Sequence, residues 1–497
     1  MPQLRIFRTL LLVGLPLLSS SAASGQELSS HQNLGLNDVY SIVLQRSEQD
    51  QIRNEDLAVA EARYRSSLSS YYPEVFLFGR KTYYDDYDSQ DNSQLQSLLQ
   101  QSQSGSSSSS SSTSSGSSFS RVNDPYQVGA GFRWPIFSGF QTYHESEARQ
   151  SEKTSALLSK QRFRELLYRD VSEVYFQILE YQKTVQILSE EQQALLARIG
   201  ELSRRVGIGR SSQGELLAAR TEYNNSRVEL ERIRGLESTS RELLAFLMGI
   251  PADGFSLQNT VPLPEQGRLE AYLATVENRK DVLAAEQSVE AARARQDSSE
   301  GGYYPNANIE GSYYATQKPD YGRDWGITLS IEIPIFSGGS TYYAVKESDA
   351  NLRKSKLELQ ALKRSASYEV RSAYVDFVNS LSRLVLLRNS VQISRSTYLV
   401  QLRDYRLGIV SNLEVLNALR NYHASRRELV RMEMLARMNE IRLHVAAGLQ
   451  SVPDPAPSDG DTAKDPEVTD GEVTKPDKAS TVNPSKSENE QSGSEGE

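Results

Sequence analysis

The sequence predicts a mixed fold, membrane β-barrel strands joined to long α-helical coiled-coil hairpins, built twice over. Three observations predict it. A six-letter word recurs, WPIFSG at 134–139 and IPIFSG at 333–338, and its offset of 199 residues holds without a gap as far as Gly249 and Gly448. A stretch of strictly alternating polarity leads into each copy. After each copy come more than sixty residues almost free of helix breakers.

Residues 1–25 read as a secretory signal: Arg5 and Arg8, an apolar run from Leu10 to Leu18, then Ser21-Ala22-Ala23-Ser24-Gly25 as a small-residue cleavage zone. No later stretch is apolar for the eighteen or so residues that a spanning helix needs, so any membrane crossing must be a closed barrel. There is no cysteine, which removes both disulfides and the thiol of a lipid anchor. The net charge of −9 is concentrated in the tail beyond Val452, which carries twelve acids and four bases. Between signal and tail the chain is close to neutral, which argues against a nucleic-acid partner.

The first repeat is expected over 26–268 and the second over 269–451. Each opens with a helical segment, Leu36 to Ser70 and Leu269 to Ser299, followed by a strand pair. The strands start at YYPEVFLFG (71–79) and YYPNANIEG (303–311), now offset by 232, because a Ser-rich loop within 85–124 lengthens the first copy. That loop reads as a flexible extracellular connection. In the first half Tyr126, Val128, Ala130, Phe132 and Trp134 alternate with Gln127, Gly129, Gly131 and Arg133. In the second half (strand pair 303–336) Ile327, Leu329, Ile331 and Ile333 alternate with Thr328, Ser330 and Glu332. This two-residue period suits a strand with one face in lipid, and equally a half-buried strand of a soluble sheet.

The long helices follow. Gln141 to Val206 has no proline and one glycine, and Ser340 to Leu407 has neither. Val370, Tyr374, Phe377, Leu381, Leu384 and Val391 keep a 4,3 coiled-coil spacing, interrupted at Arg388. About 67 residues at 1.5 Å each reach roughly 100 Å. Glycine turns near 207–214 and 408–414 reverse each chain into a returning helix. The repeated word is then the strand-to-helix joint. Pro135 and Pro334 are expected to end the strand ladder, Phe137 and Phe336 to sit at a membrane rim, and Ser138 and Ser337 to turn and cap the helix. The tail, 452–497, has the composition of a disordered segment.

Signal, duplicated strand-pair and hairpin units, PIFSG joints, YYP strand starts and glycine tips followed by an EVLNA-like stretch together resemble the TolC-like outer-membrane efflux proteins. The resemblance covers roughly residues 35–450. It implies a homotrimer whose chains each give four strands to a shared 12-stranded barrel, above a periplasmic helical tunnel in a Gram-negative outer membrane. It also implies a passive conduit for efflux or type I secretion, working with a periplasmic adaptor and an inner-membrane transporter. In the family's acidic constrictions two carboxylates follow the second tip glycine by six and nine residues; counted from Gly408 these positions are Glu414 and Asn417, one acid kept and one replaced. Three copies of Glu414 would form an anionic ring. Tyr405 is a candidate for the contacts that hold the tip closed, and Gly209, Arg210, Glu215, Gly408 and Leu413 for adaptor contact.

Other readings are weaker. Gly207, Gly209 and Gly214 lack dinucleotide-loop spacing, and His31, His144, His423 and His444 lack metal-ligand spacing. With no nucleophile–base set, the chain reads as non-enzymatic and without cofactor. The alternative function is a soluble periplasmic coiled-coil scaffold or binding module. The cargo is not written in the sequence.

Overall fold

The computed structural model describes residues 32–81, 126–259, 261–318 and 324–449. The signal, the Ser-rich loop and the acidic tail lie outside them. In chain order the elements are β1 (Gln32–Leu34), α1 (Leu36–Arg46), α2 (Glu48–Ser69), β2 (Glu74–Lys81), β3 (Tyr126–Ser138), α3 (Gln141–Gly207) and α4 (Gln213–Met248). Then come β4 (Phe255–Leu257), α5 (Leu269–Ala274), α6 (Lys280–Glu300), β5 (Asn306–Lys318), β6 (Trp325–Glu332), α7 (Ser340–Arg406) and α8 (Asn412–Ala447). The long helices α3 and α7 each have 67 residues and the returning helices 36, so the duplication is exact in its hairpins.

Both opening helices differ from the single segments expected. Ser47 has extended backbone and its hydroxyl accepts from the Asp50 N–H, so one helix stops and another is capped there. Arg279 likewise separates a short 3-10 turn from α6, without a side-chain cap of its own. These breaks serve the ends of the returning helices, whose last carbonyls lack helical partners. Arg46 Nη1 donates to the carbonyls of Gly249 (2.7 Å) and Met248 (3.4 Å) at the end of α4. At the end of α8, Arg279 Nη1 donates to Ala446 O at 3.0 Å and Arg162 Nη1 to Val445 O at 2.7 Å. The second clasp is buried, and carboxylates surround it. Asp281 takes two bonds from Arg279, Glu369 takes one, and Glu165 pairs with Arg162 at 2.7 Å. Burial pushes the Glu165 carboxyl above its ordinary range.

Beside the first clasp lies a small parallel ladder of β1 with β4, which the sequence did not announce. Val39, Tyr40, Val43, Tyr175, Phe176, Leu244 and Met248 form the core around it. Tyr175 donates its hydroxyl to Leu34 O and Gln258 O, and burial raises that phenol to about 12.

The four remaining strands form one antiparallel sheet in the order β2-β3-β5-β6. The helices attached to them pack side by side in the matching order α2-α3-α6-α7; below, toward the tips, the order becomes α4-α3-α8-α7. The described elements thus form one wall of side-by-side strands and helices with two free sides. β2, α2 and α4 form one side, and β6 and α7 the other. The predicted seam holds: Val370, Phe377 and Leu384 are buried, Tyr374, Leu381 and Val391 half-buried, and Arg388 exposed. Among the described residues no helix is long and apolar enough to cross a membrane.

Candidate functional site

The sheet has two chemically distinct faces. Paired residues across it form the rows Leu77–Ala130–Tyr313–Trp325, Val75–Phe132–Gly311–Ile327 and Trp134–Ile309–Leu329 on one face. Val75, Leu77, Trp325, Ile327, Leu329 and Ile331 are exposed there, an apolar patch no isolated soluble chain would leave uncovered. The Phe132 ring lies over Gly311, within 2.7 Å of where a Cβ would sit. The opposite face carries Glu74–Arg133–Glu310–Thr328 and Pro135–Asn308–Ser330, with Arg133 Nε bonded to Glu310 at 2.9 Å. It is not wholly polar, since Phe76 and Phe78 fill the space above Gly131 and Gly129.

The two joints differ from the expectation and from each other. Pro135 does not end its ladder: β3 runs on to Ser138, and the missing N–H is absorbed in a bulge between Pro135 and Phe137. A central strand has neighbours on both sides and can continue past such a bulge. In β6, a free edge, pairing stops at Glu332, two residues before Pro334. Ser138 and Ser337 do accept from the helix N–H groups of Thr142 (3.3 Å) and Thr341 (3.5 Å). The residues next to the helices, however, are Phe140 and Gly339, both left-handed. Gly139 and Gly338 also have positive φ, +62° and +65°, which explains the glycine in the repeated word. Phe336 is exposed. Phe137 is half-buried against Phe140, and Trp134 donates to Tyr71 O at 3.0 Å, tying the WPIFSG joint to the YYP start.

At the other end the two hairpin tips lie side by side. Gly209 and Gly408 adopt φ of +71° and +77° and let each chain reverse in a few residues. Leu195, Leu202, Leu216, Tyr405, Val415, Leu416 and Leu419 form one small core between the hairpins. Tyr405 is therefore internal; the Arg198 guanidinium lies 3.8 Å from its ring centre and Arg205 at 4.9 Å. The tie that sequence reasoning missed is Asn412. It is buried, accepts from Arg198 Nε at 2.8 Å and donates to Glu215 O at 3.3 Å, so one amide fastens the second tip to the first. Residues two hundred positions apart leave no periodic signal, and neither Arg198 nor Asn412 has a counterpart of its own type in the other repeat.

The predicted gate residues divide. Glu414 is exposed in the first turn of α8 and pairs with no base among the described residues. Asn417 is half-buried and accepts from Arg420, whose Nε also lies 3.4 Å from Glu222. Glu215 is folded back on its own turn, where its carboxylate accepts a hydrogen bond from the Ser211 hydroxyl and its N–H donates to Ser212 Oγ. Leu413 and Arg210 are exposed at the extreme end. Further up α8, His423 is buried; desolvation first, then Arg426 and Arg427, hold its imidazole down at about 4.

A family model described as outer membrane efflux protein matches residues 88–250 and 271–449. The probable efflux pump outer membrane protein TtgC of Pseudomonas putida is 26% identical over 277 residues, covering 52% of this chain and 56% of that protein. The alkaline protease secretion protein AprF of Pseudomonas aeruginosa is 22% identical, over 62% of this chain and 66% of its own. The chain thus spans little more than half the length of the first of these curated relatives. Among solved structures, the outer membrane protein VceC of Vibrio cholerae superposes with a TM-score of 0.68 at 18% identity, over 83% of this chain and 96% of that one.

Proposed function

Because the chain belongs to the outer membrane efflux protein family, we propose that three copies close into one passive channel, crossing the outer membrane as a shared barrel and continuing into the periplasm as a helical tunnel. The observation that carries this reading is the two-faced sheet whose edge strands β2 and β6 have no outer partner among the described residues. Strand edges in lipid leave N–H and C=O groups without partners, so the edges must be joined by other copies. Two copies would give eight strands, a barrel just wide enough for its own side chains. Three give twelve and leave room for water.

The free sides of the wall fit the same closure. Along α7, Leu357, Val375, Val385, Leu386 and Ile393 are exposed; on the other side Ile52 and Val59 of α2 and Val228, Leu243 and Phe246 of α4 are exposed. These sides are different surfaces, so contact is head-to-tail, and such contacts form a ring when the rotation closes. Thr328 and Ser330 would face the lumen, and Ile327, Leu329, Ile331 and Ile333 the lipid. At the far end Glu414, with Asn417 and Tyr405 behind it, would line the constriction. Gly209, Arg210, Glu215, Gly408 and Leu413 would meet a periplasmic adaptor coupled to an inner-membrane transporter, which supplies the energy. TtgC is named for efflux and AprF for protease secretion, so the cargo class lies between a tripartite efflux system and type I secretion.

The test uses the absence of cysteine. Ile393 on α7 and Val228 on α4 both lie about 20 Å above their tips at 1.5 Å per residue. A chain carrying Ile393→Cys and Val228→Cys, extracted from membranes and treated with a bismaleimide, should give a ladder ending at three. Either single variant should stop at two or fewer. Recovery of the protein from osmotic-shock fluid as a monomer would contradict the proposal and favour a soluble scaffold.

A further inference from the structure

The apolar face of the sheet is not flat. An open hollow of about 420 Å³ reaches across all four of its strands. Its depth comes from an exchange of sizes between two neighbouring rows. In Val75–Phe132–Gly311–Ile327 the small residue lies on β5, and in Leu77–Ala130–Tyr313–Trp325 it lies on β3. The Phe132 ring covers Gly311, so Ala130 is left as the floor, while Tyr313 and Trp325 stand 56% and 67% exposed beside it. Toward the helices the row Trp134–Ile309–Leu329 has no small member, and the hollow stops at Trp134. The duplication does not reproduce it: the offset of 199 sets Leu329 where Ala130 stands. Both tryptophans of the chain, Trp134 and Trp325, line the hollow.

No charged side chain lines the hollow, and the Trp134 N–H is spent on Tyr71 O. Water finds few partners there, and hydrocarbon is the chemistry it accepts. The channel reading above, on which this inference rests, puts this face in the bilayer. Leu329 and Ile331 of β6 lie between the hollow and the helices, so it belongs to the half of the apolar band farther from the periplasm. We propose that the hollow binds one acyl chain of lipid A, the saturated glycolipid of the outer leaflet, as a resident lipid at a defined place on each chain. Its volume is that of a small-ligand site. Among lipids there is no hydrophobic drive, so selection rests on packing. A straight saturated chain laid along flat rings makes more contacts than a kinked, unsaturated phospholipid chain. The walls are rings and backbone, so binding does not first have to order mobile side chains.

The experiment puts the full chain in nanodiscs of brominated phosphatidylcholine, whose bromine atoms quench a tryptophan they touch. Fluorescence then reads the hollow, because both indoles lie in it. A few molecules of lipid A per trimer should restore emission to a plateau well above lipid A's share of the total lipid. The same amount of unbrominated phosphatidylethanolamine should restore only its share. Ala130→Leu, which gives the floor the side chain found in the other repeat, should raise the half-restoring amount of lipid A about tenfold, the loss of roughly ten carbon–carbon contacts. Ile331→Phe, on the same face nearer the helices, should leave that amount unchanged. Restoration merely in proportion to added lipid A, equal restoration by the two lipids, or indifference to Ala130→Leu in assembled trimers would overturn the proposal. Emission that brominated lipid does not quench at all would refute the channel reading itself, since the sheet would then lie outside the membrane.

Discussion

Leu329→Arg sets a guanidinium in the middle of the apolar face. Leu329 lies four residues from Trp325 and three from Glu332 along β6, about 13 and 10 Å at 3.3 Å per residue. An outer-membrane barrel presents an apolar band about 25 Å tall, so this position is near its centre. Arginine there costs about 2–4 kcal/mol per chain, with three copies per barrel. Thr328→Arg, one residue away, points to the other face beside Arg133 and Glu310 and should cost about 0.5 kcal/mol or less. The assay is denaturant unfolding of purified protein in lipid, with oligomer yield in membranes as a second readout. Equal, small effects of both changes would refute the membrane assignment, because a water-exposed sheet does not distinguish its faces in this way.

Other consequences follow from the helical part. Glu414→Lys should shift ion preference toward anions in bilayer recordings while trimer yield stays unchanged; unaltered selectivity would make Glu414 an ordinary solvated residue. Asn412→Ala leaves the buried Arg198 Nε and the Glu215 carbonyl unpaired and should cost about 2–3 kcal/mol, seen as faster hydrogen exchange in both tips at once. Loosening of the second tip alone would mean that Asn412 does not join them. His423 is held at about 4 in the fold against an ordinary 6.5. The unfolded chain therefore gains a proton first as pH falls, and stability is lost between pH 6.5 and 4, by about 1–2 kcal/mol at pH 5. His423→Gln should remove that part of the acid sensitivity, and an unchanged pH profile would contradict it.

The duplication, the hairpins and the strand pairs were legible because they are periodic. An alternation of two, a seam of 4,3 and an offset of 199 all survive in one dimension. The ends of the long helices fell within a residue because a glycine lies just beyond each, Gly209 and Gly408. The Ser47 break also had a local sign, a serine three residues before an acid, and a continuous helix was read through it. Arg279, Arg162 and Arg46 were not legible as clasps, since an arginine in a helical segment does not reveal which distant carbonyls it reaches. The same holds for Arg198 and Asn412. Pro135 misled for another reason: whether a proline ends a strand depends on whether that strand is central, which only the sheet order decides.

The central claim is a water-filled passage lined by the Thr328 and Ser330 face of the sheet. Its most direct test is the current through single channels of Ser330→Cys protein before and after a bulky charged, water-soluble thiol reagent, with Ile331→Cys as the comparison. Steady ohmic steps that shrink on modification of Ser330→Cys and do not change for Ile331→Cys are the predicted result. Equal responses at the two positions, or correctly assembled protein that passes no current, would contradict it.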